Sequence, residues 1–164
     1  MYHAAVGASL GPTREDRALL PGQGEARPAD VYVPLWGPGG KDAALDVCVV
    51  SPFQQQTLHR AAREPGYALQ MRWQQKWNKY GEACRAENIE FYPMPIETTG
   101  AWEEGAAGII KRLGKALARA SCQEEGEVIK HLFGKLSILL MKTNNSMILN
   151  RVPVHPNPST NGAF

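Results

Sequence analysis

Two aspartates stand in stretches of this sequence that otherwise have the composition of buried β-strands. Asp30 directly precedes the run Val31-Tyr32-Val33, and Asp46 directly precedes the run Val47-Cys48-Val49-Val50. Aspartate is disfavoured inside strands, and a carboxylate buried without a partner costs free energy. If the two strands are neighbours, their carboxylates repel each other, and a divalent cation relieves that repulsion. One interpretation of the pair is therefore a divalent-metal site, since Mg²⁺ binds a few carboxylates together with water and phosphate oxygens.

A different interpretation of the two aspartates is purely structural. Asp30 could cap the end of its strand or pair with Arg27, while backbone donors satisfy Asp46. The sequence leaves both interpretations open at this point.

Cationic side chains follow the second aspartate on a predicted helix. The segment RWQQKWNKYGEAC carries Arg72, Lys76 and Lys79 at spacings of four and three residues, which places them in one stripe beside an aromatic face. Such a stripe is often only a solvated helix face. Next to a metal-binding carboxylate pair, it could instead stabilise the negative charge that builds on a phosphate during phosphodiester hydrolysis.

The elements that must position these residues form a mixed α/β pattern in one domain. A short helix over residues 1–9 is followed by residues 13–20, which fit an edge strand or a short helix equally well. Strands are predicted over 30–35, 44–50 and 89–97, and helices over 67–86 and in two later amphipathic segments. The two prolines of the third strand indicate a sheet edge or an early end.

Apolar faces on the three long helices are predicted from spacings of three and four. Their members are Leu69, Trp73, Trp77, Tyr80 and Cys84 in the first; Ala106, Ile109, Ile110, Leu113, Leu117 and Ala120 in the second; and Val128, Leu132, Phe133, Leu136, Leu139 and Leu140 in the third.

Composition narrows the class of protein without deciding its function. The 164 residues carry 18 Lys and Arg against 16 Asp and Glu, a net charge of +2 that neither requires nor excludes a nucleic-acid partner. The three cysteines lie far apart without metal-ligand spacing, which predicts free thiols in a reducing compartment. No apolar run reaches the ~20 residues of a membrane helix, and the N-terminus does not resemble a signal peptide. These features predict a soluble intracellular protein.

Several motifs in a fixed order carry a resemblance to a known family. They run through RPADVYVPLW, GGKDAALDVCVVSP, KWNKYGEACRAENIEFYPMPIETTGAW, IKRLGKALARA and EEGEVIKHLFGKLSILLMKTNNSMILNR. Together they resemble the C-terminal region of reverse-transcriptase polyproteins from animal retrotransposons. That region is similar to the restriction-endonuclease-like fold of the PD-(D/E)XK nucleases. The similarity covers residues 1–152, and residues 153–164 are expected to form a disordered tail.

This resemblance implies a restriction-endonuclease-like mixed sheet flanked by helices, with two additional amphipathic helices at the C-terminal end. It implies a Mg²⁺- or Mn²⁺-dependent endonuclease that nicks DNA and leaves a 3′-hydroxyl for a polymerase to extend. DNA and a reverse-transcriptase domain of a longer polyprotein are then the expected partners, and the nucleus is the expected location. Because the chain contains no polymerase segment, it is expected to be a detached module, a fragment or a decayed remnant.

The resemblance also assigns roles to individual residues. Asp30 and Asp46 match the acidic metal ligands, and Lys76 and Lys79 match the Lys-x-x-Lys-Tyr helix of the retrotransposon endonucleases. Glu97 matches a recurrent acidic position whose role the resemblance does not assign.

This chain departs from the family pattern at two places. One residue is inserted in Pro28-Ala29-Asp30, and Cys48 stands where the family carries a lysine. A thiol cannot replace an ammonium, so activity requires a lysine from the helix. The alternative is a catalytically decayed domain that binds DNA or another partner.

Further basic and aromatic residues have two possible roles each. Arg72, together with Lys111, Arg112 and Lys115 on one face of the second long helix, is predicted to contact the DNA backbone, against the alternative of a solvated face. Trp36 fits either packing against the sheet or stacking on a nucleotide. Glu15 stands where related nucleases sometimes carry an additional acidic ligand from the first helix or strand.

Overall fold

A computed structural model describes residues 1–14, 19–20 and 28–151. It has a four-stranded mixed sheet with helices on both faces, which confirms the predicted α/β class. In chain order the elements are α1 (Tyr2–Gly7), β1 (Thr13–Arg14), β2 (Val31–Val33), β3 (Asp42–Val50), α2 (Leu58–Ala61), α3 (Tyr67–Ala86), β4 (Ile89–Glu97), α4 (Glu104–Ser121) and α5 (Glu125–Leu149). The positions of Glu15 and Arg27 and the predicted tail lie outside the described residues.

The sheet has the strand order β1-β2-β3-β4. Its first three strands are antiparallel, with Val31 paired to Leu45, and β4 is parallel to β3 over the whole length from Asp42–Ile89 to Val50–Glu97. Parallel neighbours need a long crossover, and α3 supplies it. The crossover brings α3 back across the strand that carries Asp46.

Two prolines lie inside β4, and its place at the sheet edge explains why they are tolerated. Pro93 and Pro95 are two residues apart, so their backbone nitrogens point to the same side of the strand. On that outer side, Pro95 O accepts a hydrogen bond from Glu103 N at 3.1 Å. The missing N–H groups therefore remove no hydrogen bond from the ladder with β3, and the predicted edge position is confirmed.

Alternation along β3 divides the core into two layers. Ala43 and Leu45 belong to a cluster with α1, α4 and α5, whereas Ala44 belongs to a cluster with Tyr80 and Cys84 of α3. Residues on the same face as Ala44 include Asp46, because strand side chains alternate with a period of two. Helices α3 and α4 consequently lie on opposite faces of the sheet.

Several element bounds differ from the sequence prediction. Strand β2 covers only 31–33. Asp30 before it is a bend residue, and Leu35 after it adopts a left-handed φ of 54°. The Leu35 N–H donates to Asp42 Oδ1 at 2.8 Å. For residues 13–20 the sequence predicted either an edge strand or a short helix, and residues 13–14 form a strand. The helix predicted over 67–86 is confirmed at both ends. The short helix α2 and a 3-10 turn over Pro38–Gly40 were not predicted.

Two predicted core positions on the late helices are wrong. Ala120 is exposed in the last turn of α4, and Leu139 of α5 is 59 % exposed. Helix α5 packs on α4 and the core through Val128 and Leu132, and its C-terminal half has few partners among the described residues. The apolar side chains that it leaves exposed are Ile138, Leu139, Met141, Met147, Ile148 and Leu149. Among the helices of the described ranges, none combines the length and apolar character needed to cross a membrane.

Candidate active site

Asp30 and Asp46 come together because β2 and β3 are antiparallel neighbours. Val31 pairs with Leu45, so the same register continued by one residue places Asp30 opposite Asp46. Asp30 N donates to Leu45 O at 3.0 Å, and Asp30 Oδ2 accepts from Val47 N at 2.8 Å. Asp30 is thus hydrogen-bonded to the residues on both sides of Asp46.

The hydrogen bond from Val47 gives Asp30 a structural role. Strand β2 ends its pairing at Val31, so the N–H of Val47 on β3 lies beyond the ladder, and the Asp30 carboxylate satisfies it. The alternative in which Asp30 caps a strand end is therefore part of the structure. This role uses Oδ2, and in the described residues Oδ1 has no hydrogen-bond donor assigned to it.

Asp46 is buried, and its partner is a lysine of α3. It is 4 % exposed, and the Lys76 Nζ lies 2.7 Å from its Oδ2. The Lys76 ammonium forms a close ion pair with this oxygen but does not meet the geometry of a good hydrogen bond. Within the described ranges, the buried Oδ2 therefore has no hydrogen-bond donor of good geometry. The Lys76 side chain is 20 % exposed, which leaves its ammonium within reach of solvent or a ligand.

Burial is the largest influence on the protonation of Asp46. Desolvation raises the pKa of the Asp46 carboxyl, and the negative charge of Asp30 raises it further. The ammonium of Lys76 and the guanidinium of Arg72 lower this pKa, but the net change is upward. The register of β2 and β3, which places Asp30 opposite Asp46, accounts for the influence of Asp30.

Arg72 lies one helical turn before Lys76 and borders the same site. Cys48 is buried near it: burial raises the pKa of this thiol, and the guanidinium of Arg72 opposes the rise. Arg72 Nε is buried and lacks a hydrogen-bond partner among the described residues. The resemblance expects a lysine at position 48, and here a cation from α3 occupies the space beside it.

Lys79 does not share this position. Its side chain is exposed, and its Nζ lies 4.7 Å from the centroid of the Tyr80 ring, compared with 5.9 Å for Lys76. Spacing along the helix could not rank the two lysines, because both lie at the border of the aromatic face. The tertiary structure brings Lys76 to Asp46 and leaves Lys79 at the surface.

Glu97 lies too far along the sheet to join the acidic pair. It pairs with Val50, whereas Asp46 pairs with Pro93, so four residues separate the two positions, about 13 Å at the usual rise per residue. The buried Glu97 carboxylate accepts a hydrogen bond from Thr99 Oγ1 at 2.8 Å in the turn after β4. The structure thereby gives Glu97 a role in shaping that turn.

The basic face of α4 lies on the opposite side of the sheet from Lys76. Lys111 and Lys115 are exposed, but Arg112 is engaged: its guanidinium stacks 4.2 Å from the centroid of Trp36 and donates to Trp36 O. Trp36 is buried against the core, which confirms packing rather than a free stacking surface. These residues therefore do not extend the surface around Asp46.

Replacing Arg112 by methionine should lower stability, because it removes both the cation–π contact and the donor to Trp36 O. We expect a loss of about 1–2 kcal/mol in the free energy of unfolding, measured by urea titration. Lys115→Met in the same helix is the matched control and should change stability by less than ~0.5 kcal/mol. Equal effects from the two variants would show that Arg112 is only a surface cation.

A second carboxylate outside the site holds the β2–β3 connection. Asp42 accepts hydrogen bonds from the Tyr32 hydroxyl and from Leu35 N. Both bonds lower the pKa of the Asp42 carboxyl, and the bond from Tyr32 has the larger effect. Sequence reasoning missed this role, since neither partner has a distinctive spacing from Asp42. The contact positions β2 against β3 and so helps to set the register that joins Asp30 to Asp46.

The donor set at this site is compatible with Mg²⁺ or Mn²⁺. No group of three or more His, Cys, Asp or Glu side chains suited to a metal occurs in the described ranges. Mg²⁺ needs only one or two carboxylates when water and phosphate oxygens complete its coordination. The available oxygens are Asp30 Oδ1 and Asp46 Oδ1, because Oδ2 of each is already engaged.

Comparison with protein-family models gave no match. Comparisons with curated proteins and with solved structures gave none either.

Proposed function

We propose that this protein is a metal-dependent DNA endonuclease that nicks one strand, with a restriction-endonuclease-like fold and an origin in a retrotransposon polyprotein. The observation that carries the proposal is the buried Asp46 carboxylate, which lies 2.7 Å from the Lys76 ammonium, with Asp30 at the facing position of the neighbouring strand. Two acids and one cation in this arrangement are the groups that hydrolysis of a phosphodiester needs. The mixed sheet with helices on both faces agrees with the fold that the resemblance implies.

Each residue would contribute a separate part of the chemistry. Asp30 and Asp46 would hold Mg²⁺ or Mn²⁺, which supplies an activated water and Lewis-acid assistance when bound. Lys76 would place its positive charge against the non-bridging phosphate oxygens, where negative charge accumulates in the transition state. Arg72, on the same helix, would contact the DNA backbone beside the scissile phosphate.

The partners and location follow from this activity. DNA is the substrate, and the nick leaves a 3′-hydroxyl from which a reverse-transcriptase domain in a longer polyprotein would extend. The nucleus is the compartment that such a reaction requires.

The test is nicking of supercoiled plasmid by the purified protein with Mg²⁺, with Mn²⁺ and with EDTA. We expect conversion to open circles that requires the metal. The matched variant is Asp30→Asn, whose amide oxygen can still accept from Val47 N and so preserves the fold. Its nicking rate should fall by about 10-fold or more, since the variant loses one charged metal ligand. Nicking that persists in EDTA, or an unchanged Asp30→Asn rate, would contradict the proposal.

A second candidate is a decayed endonuclease fold that binds DNA or another partner without cutting. Cys48 in the place of the family lysine favours it, and so does the use of Asp30 Oδ2 as a strand cap. This candidate predicts DNA binding that is independent of Mg²⁺, with no nicking under any of the three conditions.

A further inference from the structure

A small polar cavity adjoins the candidate active site. It has a volume of about 170 Å³ and lies between the C-terminal end of β3, the segment before α2 and the first turns of α3. Its polar lining consists of Gln54, Gln56, Thr57, Arg72 and Gln75. Drug-sized ligands usually occupy ~300–1,000 Å³, so this cavity fits one flat ring system rather than a whole nucleotide.

The lining offers hydrogen bonds of both kinds within a short distance. Each glutamine amide can donate and accept, and Arg72 Nη1 lies 3.4 Å from Gln75 Oε1. Arg72 Nε is buried and has no hydrogen-bond partner in the described part of the chain. Thr57 donates its hydroxyl toward Pro52 O and Gln54 O, at 3.4 and 3.3 Å, which leaves its oxygen able to accept.

These groups match the edge of a purine. Arginine pairs with O6 and N7 of guanine, and glutamine pairs with N6 and N7 of adenine, so both side-chain types in the cavity recognise purines. We propose that the cavity binds a purine base of the DNA strand that is cut, and that it makes the nick depend on the neighbouring base.

The helix sets the distance between the base site and the phosphate site. Arg72 and Gln75 of α3 line the cavity. Lys76, which contacts Asp46 of β3, lies within about one turn of both residues on the same helix. One turn corresponds to about 5.4 Å along the axis, a separation that a nucleotide can span between its base and a phosphate. A base in the cavity therefore leaves the phosphate near Lys76.

This inference rests on the proposed function, so its test measures binding separately from cutting. Fluorescently labelled hexadeoxynucleotides would be titrated in EDTA, where a metal-dependent enzyme cannot cut. One is all thymidine, and the others carry a single adenine or guanine at the third position. We expect a single purine to tighten binding about 5-fold or more.

Neighbouring glutamines in the chain provide matched controls. Gln56→Ala and Gln75→Ala should abolish the purine preference, whereas Gln55→Ala and Gln74→Ala should retain it. Gln55 does not line the cavity, and Gln74 Nε2 is bonded to Asn78 Oδ1 at 2.7 Å outside it. All four side chains are exposed, so none of the variants should affect folding.

The outcomes separate the two proposals. Equal affinity for all hexamers, or a purine preference that survives in Gln56→Ala and Gln75→Ala, overturns the inference even if the protein nicks plasmid. A preference that depends on these two residues supports the base site. If plasmid nicking then fails, the proposed function is overturned and the cavity remains a site for binding DNA bases.

Discussion

Replacing Asp46 by asparagine is expected to abolish metal-dependent nicking while leaving the protein folded. The change keeps the shape of the side chain and removes the more buried of the two proposed metal ligands. Lewis-acid and water-activating effects of a metal contribute several kcal/mol, so the nicking rate should fall on the order of 10³-fold. The rate would be measured with saturating plasmid and Mg²⁺, and binding in EDTA would be measured in parallel.

The same substitution makes a prediction about stability with a definite sign. Burial raises the pKa of Asp46 above its ordinary value of 3.8, so between 3.8 and the raised value the folded state holds more protons than the unfolded state. The free energy of unfolding of the wild-type protein therefore falls as the pH rises through this window. The Asp46→Asn protein has no carboxyl at this position and does not lose stability in this way. The difference in free energy of unfolding between Asp46→Asn and wild type should therefore shift in favour of the variant from pH 3.5 to pH 7.

At pH 7 we expect the free energy of unfolding of the Asp46→Asn protein to be no more than about 1 kcal/mol below that of wild type. The change removes a buried charge, and the partly exposed Lys76 ammonium can be solvated. Urea titrations at the two pH values test this, and melts with Mg²⁺ should show stabilisation of wild type only. A loss of more than ~2 kcal/mol at both pH values would mean that Asp46 is chiefly a structural residue.

Replacing Lys76 by methionine is expected to have the opposite effect on stability. The variant leaves the Asp46 carboxylate buried without its ion-pair partner, whose side chain is 20 % exposed in the wild-type protein. Removing one partner of a buried ion pair typically lowers the free energy of unfolding by about 3–5 kcal/mol. Because Lys76 is partly exposed, we expect a loss of about 3 kcal/mol for Lys76→Met. The melting temperature at pH 7 should fall by about 10 °C for a chain of this length.

Acid should relieve this defect. Once Asp46 is protonated it no longer needs a cation, so the stability difference between wild type and Lys76→Met should shrink as the pH falls. Lys79→Met is the matched control on the same helix, since Lys79 is exposed, and it should change stability by less than ~0.5 kcal/mol at any pH. A pH-independent defect in Lys76→Met would indicate lost packing of the lysine stem instead of a lost charge.

The two lysines should also differ in catalysis. Lys76→Arg keeps a cation near Asp46, and comparison of this variant with Lys76→Ala separates charge from shape. Loss of the charge should cost on the order of 10²-fold in nicking rate, whereas Lys79→Ala should mainly weaken DNA binding and reduce the slope of its salt dependence by about one. Equal, small effects from Lys76→Ala and Lys79→Ala would favour the non-cutting candidate.

The sequence by itself determined the class of fold and most of its elements. Periodic apolar residues predicted α3, β4, α4 and α5, because burial of one face selects helical or strand spacing wherever the segment is long. The two prolines of β4 predicted either a sheet edge or an early end, because proline has no N–H to donate to a ladder, and the strand order shows that β4 is at the edge. The short elements were harder to predict from the sequence. Strand β2 has only three residues, and its C-terminal end depends on the hydrogen bond from Leu35 to Asp42.

The sequence also identified the acidic pair, but only the tertiary structure decided how its members are used. Antiparallel pairing of β2 with β3 places Asp30 opposite Asp46 and gives Asp30 its bond to Val47, a contact across seventeen residues that no local pattern encodes. The crossover of α3 selects Lys76 over Lys79, and it places Arg72 at the polar cavity. Packing of Trp36 engages Arg112 on the far face. Residue types and spacing state which groups are available, whereas distances between elements depend on how the whole chain packs.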